Sequence, residues 1–476
     1  GLCMLNVFDY GIIVIYFLCM IIVGFVASRF TKSKEDFLVA GRRLSFPLYF
    51  GCMSALVLGG GSTIGSTKLG YLYGFGGIWL DLSLGIGLIA MGFFITSKLS
   101  KMKALSINEV IEGSYGATAR AFSSVLTFIY TLTVSVVQVL AIGTIFNVAL
   151  GWDSVRSMVV GGGIVILYTF IGGMWAVTMT DIIQFVIKTV GVLILAPIFA
   201  FSAVGGWDSL AASVPEANFS ITSMGFESML TYFLLYAPGI LIGQDIWQRV
   251  FTAKNDRIAK TGAVSAGVYC IAYAFATVFL GMCVFTLYPE IDAQNAFATG
   301  VINFLPAGIR GFVLAAALAA TMSCSSGTIL ACSTVLYNDM YQRFINRNPD
   351  EKKAVWINRG FALLIGGLVM VCALWLQDVL VALDVAYAYL SGTVFIPVLA
   401  SFVLKKFSPK AGLLSLTAST IVVTGLFFKY GFTSNYPILY GMLTGLIVYI
   451  LVNMINKNKV AQNDLAVNAA DQSGKS

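Results

Sequence analysis

Four side chains put charge inside long apolar stretches: Asp81, in Trp79-Leu80-Asp81-Leu82-Ser83, then Asp181, Lys188 and Asp384. Charge is costly in hydrocarbon, so each marks a functional site unless it serves as a structural partner. Asp181 and Lys188 are seven residues apart, which on a helix is two turns along one face, about 10 Å by helical rise. A carboxylate and an amine so placed can pair with each other, face a wet crevice, or bind and release a cation or a proton. Backbone chemistry comes from Ser54-Ala55-Leu56-Val57-Leu58-Gly59-Gly60-Gly61-Ser62-Thr63-Ile64-Gly65. Three consecutive glycines, each about 1 kcal/mol worse than Ala in a helix, read as a break that frees carbonyls for a cation and N–H groups for a substrate.

The elements that position these residues are membrane helices. Of 476 residues 58% are hydrophobic and 11% charged, and mean hydropathy is +0.88, which excludes a soluble domain. Apolar segments lie at about 8–28, 46–74, 76–97, 119–148, 155–173, 175–203, 229–248, 261–288, 307–338, 356–376, 379–403, 411–430 and 436–455. The first reads as a span, since no basic leader or small-residue cleavage site precedes it. With thirteen spans the Lys- and Arg-bearing loops (29–43, 98–103, 249–260, 343–353, 405–410) all fall on one face. The loop 203–228 on the other face has no Lys or Arg. The positive-inside rule then sets the N-terminus outside and the C-terminus in the cytoplasm. The net charge of +7 is thus a matter of topology and not of nucleic-acid binding. The chain has no histidine, and its eight cysteines lack metal-ligand spacing, so no transition-metal site is expected. Loops 104–118 and 203–228 have room for short amphipathic helices, and the polar tail 457–476 reads as disordered.

A second interruption is expected at Tyr236-Ala237-Pro238-Gly239, where Pro lacks the N–H for a helical bond. If 8–28 is peripheral, the two broken helices open two sets of five spans, 46–203 and 229–403, with 411–455 adding two more. Paired broken helices in corresponding positions point to an inverted-repeat secondary transporter. The fold class is therefore an all-α polytopic membrane protein in a cell membrane, with one transmembrane domain over 1–456.

The sequence resembles the sodium/solute symporter family over nearly its whole length. The residues that carry the resemblance are Asp36-Phe37 with Ala40-Gly41-Arg42, and Tyr168, Gly172-Gly173-Met174, Ala176-Val177, Thr180-Asp181 and Gln184 in one run. Gln244 with Gln248-Arg249, and Asn338-Asp339-Met340-Tyr341 after a Ser-rich span, complete it. The resemblance implies a leucine-transporter-type fold and sodium-driven uptake of a small solute. It also implies a sodium site on Ala55, Leu58, Ala320, Ser323 and Cys324. Cys324 departs from the family's Ser or Thr, and a thiol suits a hard cation poorly. For a second cation or proton site Asp181 and Ser326 match, with Lys188 beside them, but Gly327 replaces a further Ser. Lys188 and Cys324 converge on the first sodium position, so an alternative is open: the lysine amine takes the ion's place, and transport is proton-coupled or independent of sodium.

Candidate solute contacts are Val57, Gly60, Ser62, Asp81, Val134, Gln138, Tyr236 and Gln244, with Asp245 as a further cavity candidate and Asp384 as a gate or a structural partner. Any of these can equally be interhelical glue. A tryptophan cage for choline is missing at Val57, Val134 and Gly243, and Val134 stands where sialic-acid relatives have an arginine. A small polar metabolite remains, with Asp81 leaning the reading toward a cationic or zwitterionic one. The rivals are a channel, which needs no paired breaks, an enzyme, which needs a clustered catalytic set, and a sensor that binds solute without moving it.

Overall fold

The computed structural model describes residues 5–376, 378–456 and the backbone of 461–462. Its main elements are α1 (Val7–Ser28), the pair α2 (Phe46–Val57) and α3 (Gly60–Tyr73), α4 (Trp79–Phe94), α5 (Ala117–Leu150) and α6 (Ser154–Lys188), which continues helically to Ala203. Next come the pair α7 (Phe226–Ile242) and α8 (Gln244–Val250), α9 (Asp256–Leu287) and α10 (Ile309–Thr334). The last are α11 (Glu351–Ala373), the pair α12 (Val379–Ser391) and α13 (Phe395–Val403), α14 (Pro409–Tyr430) and α15 (Tyr436–Ile455).

Among the described residues nine helical runs are long and apolar enough to cross a bilayer, and two bent pairs, α7/α8 and α12/α13, bring the number to eleven. The protein is a multi-pass membrane protein. Two of the nine runs, Gly60–Phe94 and Ser154–Ala203, hold 35 and 50 residues. At about 1.5 Å per residue both exceed a hydrocarbon core of about 30 Å. Each contains a glycine with backbone angles that a side chain disfavours: Gly74 (φ 63°, ψ −136°) and Gly173 (φ 56°, ψ −139°). The sequence reading divides the chain at these same two places.

The break at the triple glycine is present, but the second one is displaced. Pro238 lies inside α7, which persists to Ile242; the chain bends by 42° at Gly243 (φ −65°, ψ 133°). Proline removes one hydrogen bond, and tight packing holds the helix through it: a Cβ on Gly239 would lie 2.4 Å from the Tyr387 ring. Loop 104–118 holds the helix Ile107–Tyr115, and loop 203–228 holds Trp207–Ser213. Of the tail, 461–462 pairs antiparallel with Lys406–Phe407, and the rest of 457–476 lies outside the described residues.

At the centre, α10 is buried from Val313 to Thr334, as its Ala, Ser and Gly content allows. The first helix is fastened to its start. Asp9 closes a capping box with Asn6, accepts the Gly308 and Gly311 N–H groups at 2.8 and 3.1 Å, and pairs with Arg310 at 2.7 Å.

Gly173→Ala should lower the melting temperature of the purified protein. The backbone angles cost about 1–3 kcal/mol for a residue with a side chain, and the new Cβ would meet the Phe37 ring at 2.4 Å. Gly163→Ala, with nothing within 4 Å of its Cβ, should not destabilise.

Candidate functional site

Helix α2 ends at Val57, Leu58 (φ −99°, ψ 72°) and Gly59 (φ −88°, ψ −158°) leave the helical region, and α3 restarts at Gly60. Carbonyls in the last turn of a helix have no intrahelical donor. Those of Ser54, Ala55 and Leu58 converge on one point, and the Lys188 ammonium sits there, donating to them at 3.3, 3.2 and 3.1 Å. Lys188 is fully buried, and the Tyr273 ring lies 5.7 Å from its Nζ. Three acceptors match the three N–H bonds of an ammonium.

Of the cation ligands read from sequence, Ala55 and Leu58 therefore come together, joined by Ser54, around the chain's own cation. Two of the α10 residues are engaged elsewhere: Ser323 donates to Asp181 Oδ1 at 2.7 Å and Cys324 packs on Gly59, while Ala320, which could offer only its backbone carbonyl, is buried.

Asp181 does not pair with Lys188. Its Oδ2 accepts from Arg249 Nη2 at 3.1 Å and from Cys52 Sγ at 3.2 Å, all within the buried core. Ser326 donates to the Ser323 carbonyl at 3.0 Å and does not reach the carboxylate. Gly327 matters here because a Cβ would stand 2.7 Å from Arg249 Nη2. The glycine leaves room for the guanidinium.

Next to the break lies a small cavity, about 20 Å³, room for a single water. Val57, Ser62, Val134, Gln138 and Tyr236 line it, as the sequence suggests, together with Gly59, Gly61, Cys324 and Asp245. Gly60 is just behind, its N–H donating to Gln138 Oε1. The start of α3 thus contributes a helix N-terminus to the wall, which favours negative charge. Asp245 contributes a carboxylate, held by Tyr130 OH at 3.1 Å. Tyr387 also lines the cavity, with its ring 4.7 Å from that of Tyr236 and 5.3 Å from that of Tyr130. It is absent from the sequence reading, although it follows Asp384 by one turn, and Asp384 accepts from Tyr236 OH.

Besides Gly60, two sequence candidates are not in the wall. Gln244 accepts from Ile107 N at 2.8 Å and donates to Leu105 O at 3.0 Å, bracing the helix Ile107–Tyr115. Asp81 is fully buried on α4 beside Ser66, Cys270 and Tyr273, away from the cavity.

The model of the Sodium:solute symporter family matches residues 37–419. The sodium/proline symporter of Escherichia coli (strain K12) is 25% identical, covering 93% of this chain and 92% of that protein. The high-affinity proline transporter PutP of Bacillus subtilis (strain 168) is 28% identical, covering 85% and 89%. Among solved structures, a substrate-bound, outward-open Na+-coupled sialic acid symporter aligns with TM-score 0.83 at 19% identity, covering 96% of this chain and 99% of that one. MhsT in complex with L-phenylalanine aligns at TM-score 0.55 and 13% identity over 86% and 98%. At these identities the likeness to solved structures is one of fold.

Arg249→Met should destabilise strongly, by about 3–5 kcal/mol, because it leaves the Asp181 carboxylate buried without its partner. Adding Asp181→Asn should recover part of that loss. Melting temperatures of the single and double variants in detergent check this.

Proposed function

This chain belongs to the sodium:solute symporter family, and on that premise we propose that it is a secondary carrier of a small zwitterionic solute in which Lys188 takes the place of a sodium ion. Sodium is the cation named for its relatives. The observation that carries the reading for this chain is the Lys188 ammonium on the Ser54, Ala55 and Leu58 carbonyls. A second cation there would face a buried like charge with its oxygen ligands already used. A tethered ammonium cannot leave with the solute, so on this reading transport is independent of sodium, and we take the gradient that drives accumulation to be one of protons.

For the solute, the wall offers the N-terminus of α3 to a carboxylate and Asp245 with its tyrosines to an amine. Proline fits this pairing, and two of the relatives named above are proline carriers. Movement would follow alternating access between the repeats 46–203 and 229–403, each opening on a broken helix, in a thirteen-span cell-membrane protein with its basic loops in the cytoplasm.

Proteoliposomes holding the purified protein should accumulate labelled proline under an inward proton gradient and not under an inward sodium gradient. Asp245→Asn should cut uptake about tenfold or more, since a charge-assisted hydrogen bond to the amine is lost. Uptake that follows sodium alone, or an Asp245→Asn variant with full uptake, contradicts the reading.

A further inference from the structure

Asp81 is the buried group that neither the cavity nor the Lys188 cradle uses. It is fully buried, and neither carboxyl oxygen has a hydrogen-bond partner among the described residues. The Ser66 hydroxyl on α3 faces it without completing a bond, and the Ser83 hydroxyl on its own helix and the Ser54 hydroxyl on α2 are equally unpartnered. From α9 it is faced by Cys270 and Tyr273, and from α6 by Lys188. Helix α7 presents Ala237 and Ile240 to α4 at Gly87, with no titratable group there. Tyr273 is itself bonded to Thr63.

The buried charges around this region can be counted. Arg249 is taken by Asp181, and Asp245 lies in the cavity wall. Lys188 is left with three neutral carbonyls and one carboxyl in electrostatic reach that no other cation claims, Asp81. An ionised carboxylate without a single donor is the costliest arrangement a dry interior can hold. A carboxyl carrying a proton is neutral and leaves Lys188 on the carbonyls.

Resting on the proton-driven reading above, we propose that Asp81 is the site that binds the transported proton, and that its charge decides whether Lys188 stays on the carbonyls of the broken helix. With the proton bound, the ammonium has no competing anion and locks α2 and α3 in the closed arrangement. When the O–H bond of Asp81 breaks and the proton leaves to water on one side, the carboxylate keeps the electron pair and attracts Lys188. The carbonyls of Ser54, Ala55 and Leu58 then lose their donor, and the break is free to move. Lys188 stays an ammonium throughout, so one proton is carried per cycle.

The test uses Asp81→Asn, which keeps size and removes the titration, with Asp81→Glu as the variant that restores a carboxyl. In infrared difference spectra between acid and alkaline pH, the reconstituted wild type should show a protonated buried-carboxyl band that titrates. That band should be missing in Asp81→Asn and present, shifted, in Asp81→Glu. In proteoliposomes Asp81→Asn, neutral at every pH, should keep the ammonium on the carbonyls and lose both exchange of labelled proline and accumulation under a proton gradient, and Asp81→Glu should regain both. A band that survives in Asp81→Asn, or proton-driven accumulation undiminished in that variant, overturns the proposal and leaves the proton-driven reading standing. Wild-type accumulation under sodium alone would instead remove the premise, which separates the two failures.

Discussion

A helix broken inside a membrane must find donors for the carbonyls it frees, and a lysine buried there must find acceptors for its ammonium. Here each requirement meets the other. Lys188 supplies three N–H groups to Ser54, Ala55 and Leu58, and the interruption at Leu58 and Gly59 supplies the oxygens. A continuous helix would have spent those carbonyls on its own N–H groups. Helix α6 packs beside α2, and α9 brings the Tyr273 ring to 5.7 Å from the buried ammonium.

The second consequence is a division of labour among buried carboxylates. Asp181 belongs to Arg249, Asp9 to Arg310 and the start of α10, and Asp384 to Tyr236. Asp245 alone among them faces the cavity, with Tyr130 holding it. Similar chemistry therefore serves as a rivet at the periphery, as a pair in the core, and as a polar group in the cavity wall. Burial and partners distinguish these roles, and residue type does not.

Much of this is written locally in the chain. Three glycines in an apolar run announce a break because each weakens a helix, although only Gly59 leaves the helical region and Gly60 and Gly61 open α3; two helical turns from Asp181 to Lys188 place the amine at the depth of that break. What was not legible depends on contacts between distant segments. Pro238 looks like a break, yet Gly239 against Tyr387 holds the helix through it, and the bend moves to Gly243. Asp81 reads as a solute contact because it sits in the right span, but its position around the helix turns it toward α3 and α9. Gln244 and Asp245 are neighbours in sequence and act on different things, one on the loop before Ile107 and the other on the cavity. Which of two adjacent polar residues faces inward is set by the bend at Gly243.

The most direct measurement is thermal stability in detergent with NaCl exchanged for KCl at constant ionic strength, for wild type and Lys188→Ala. A bound ion stabilises by RT ln(1 + [L]/Kd), about 2.7 kcal/mol at a hundredfold excess over Kd. If Lys188 holds the cation position, wild type shows no difference between the salts, and Lys188→Ala gains a saturating stabilisation by sodium at the vacated carbonyls. A saturating, sodium-specific stabilisation of the wild type that Lys188→Ala leaves unchanged would contradict the account.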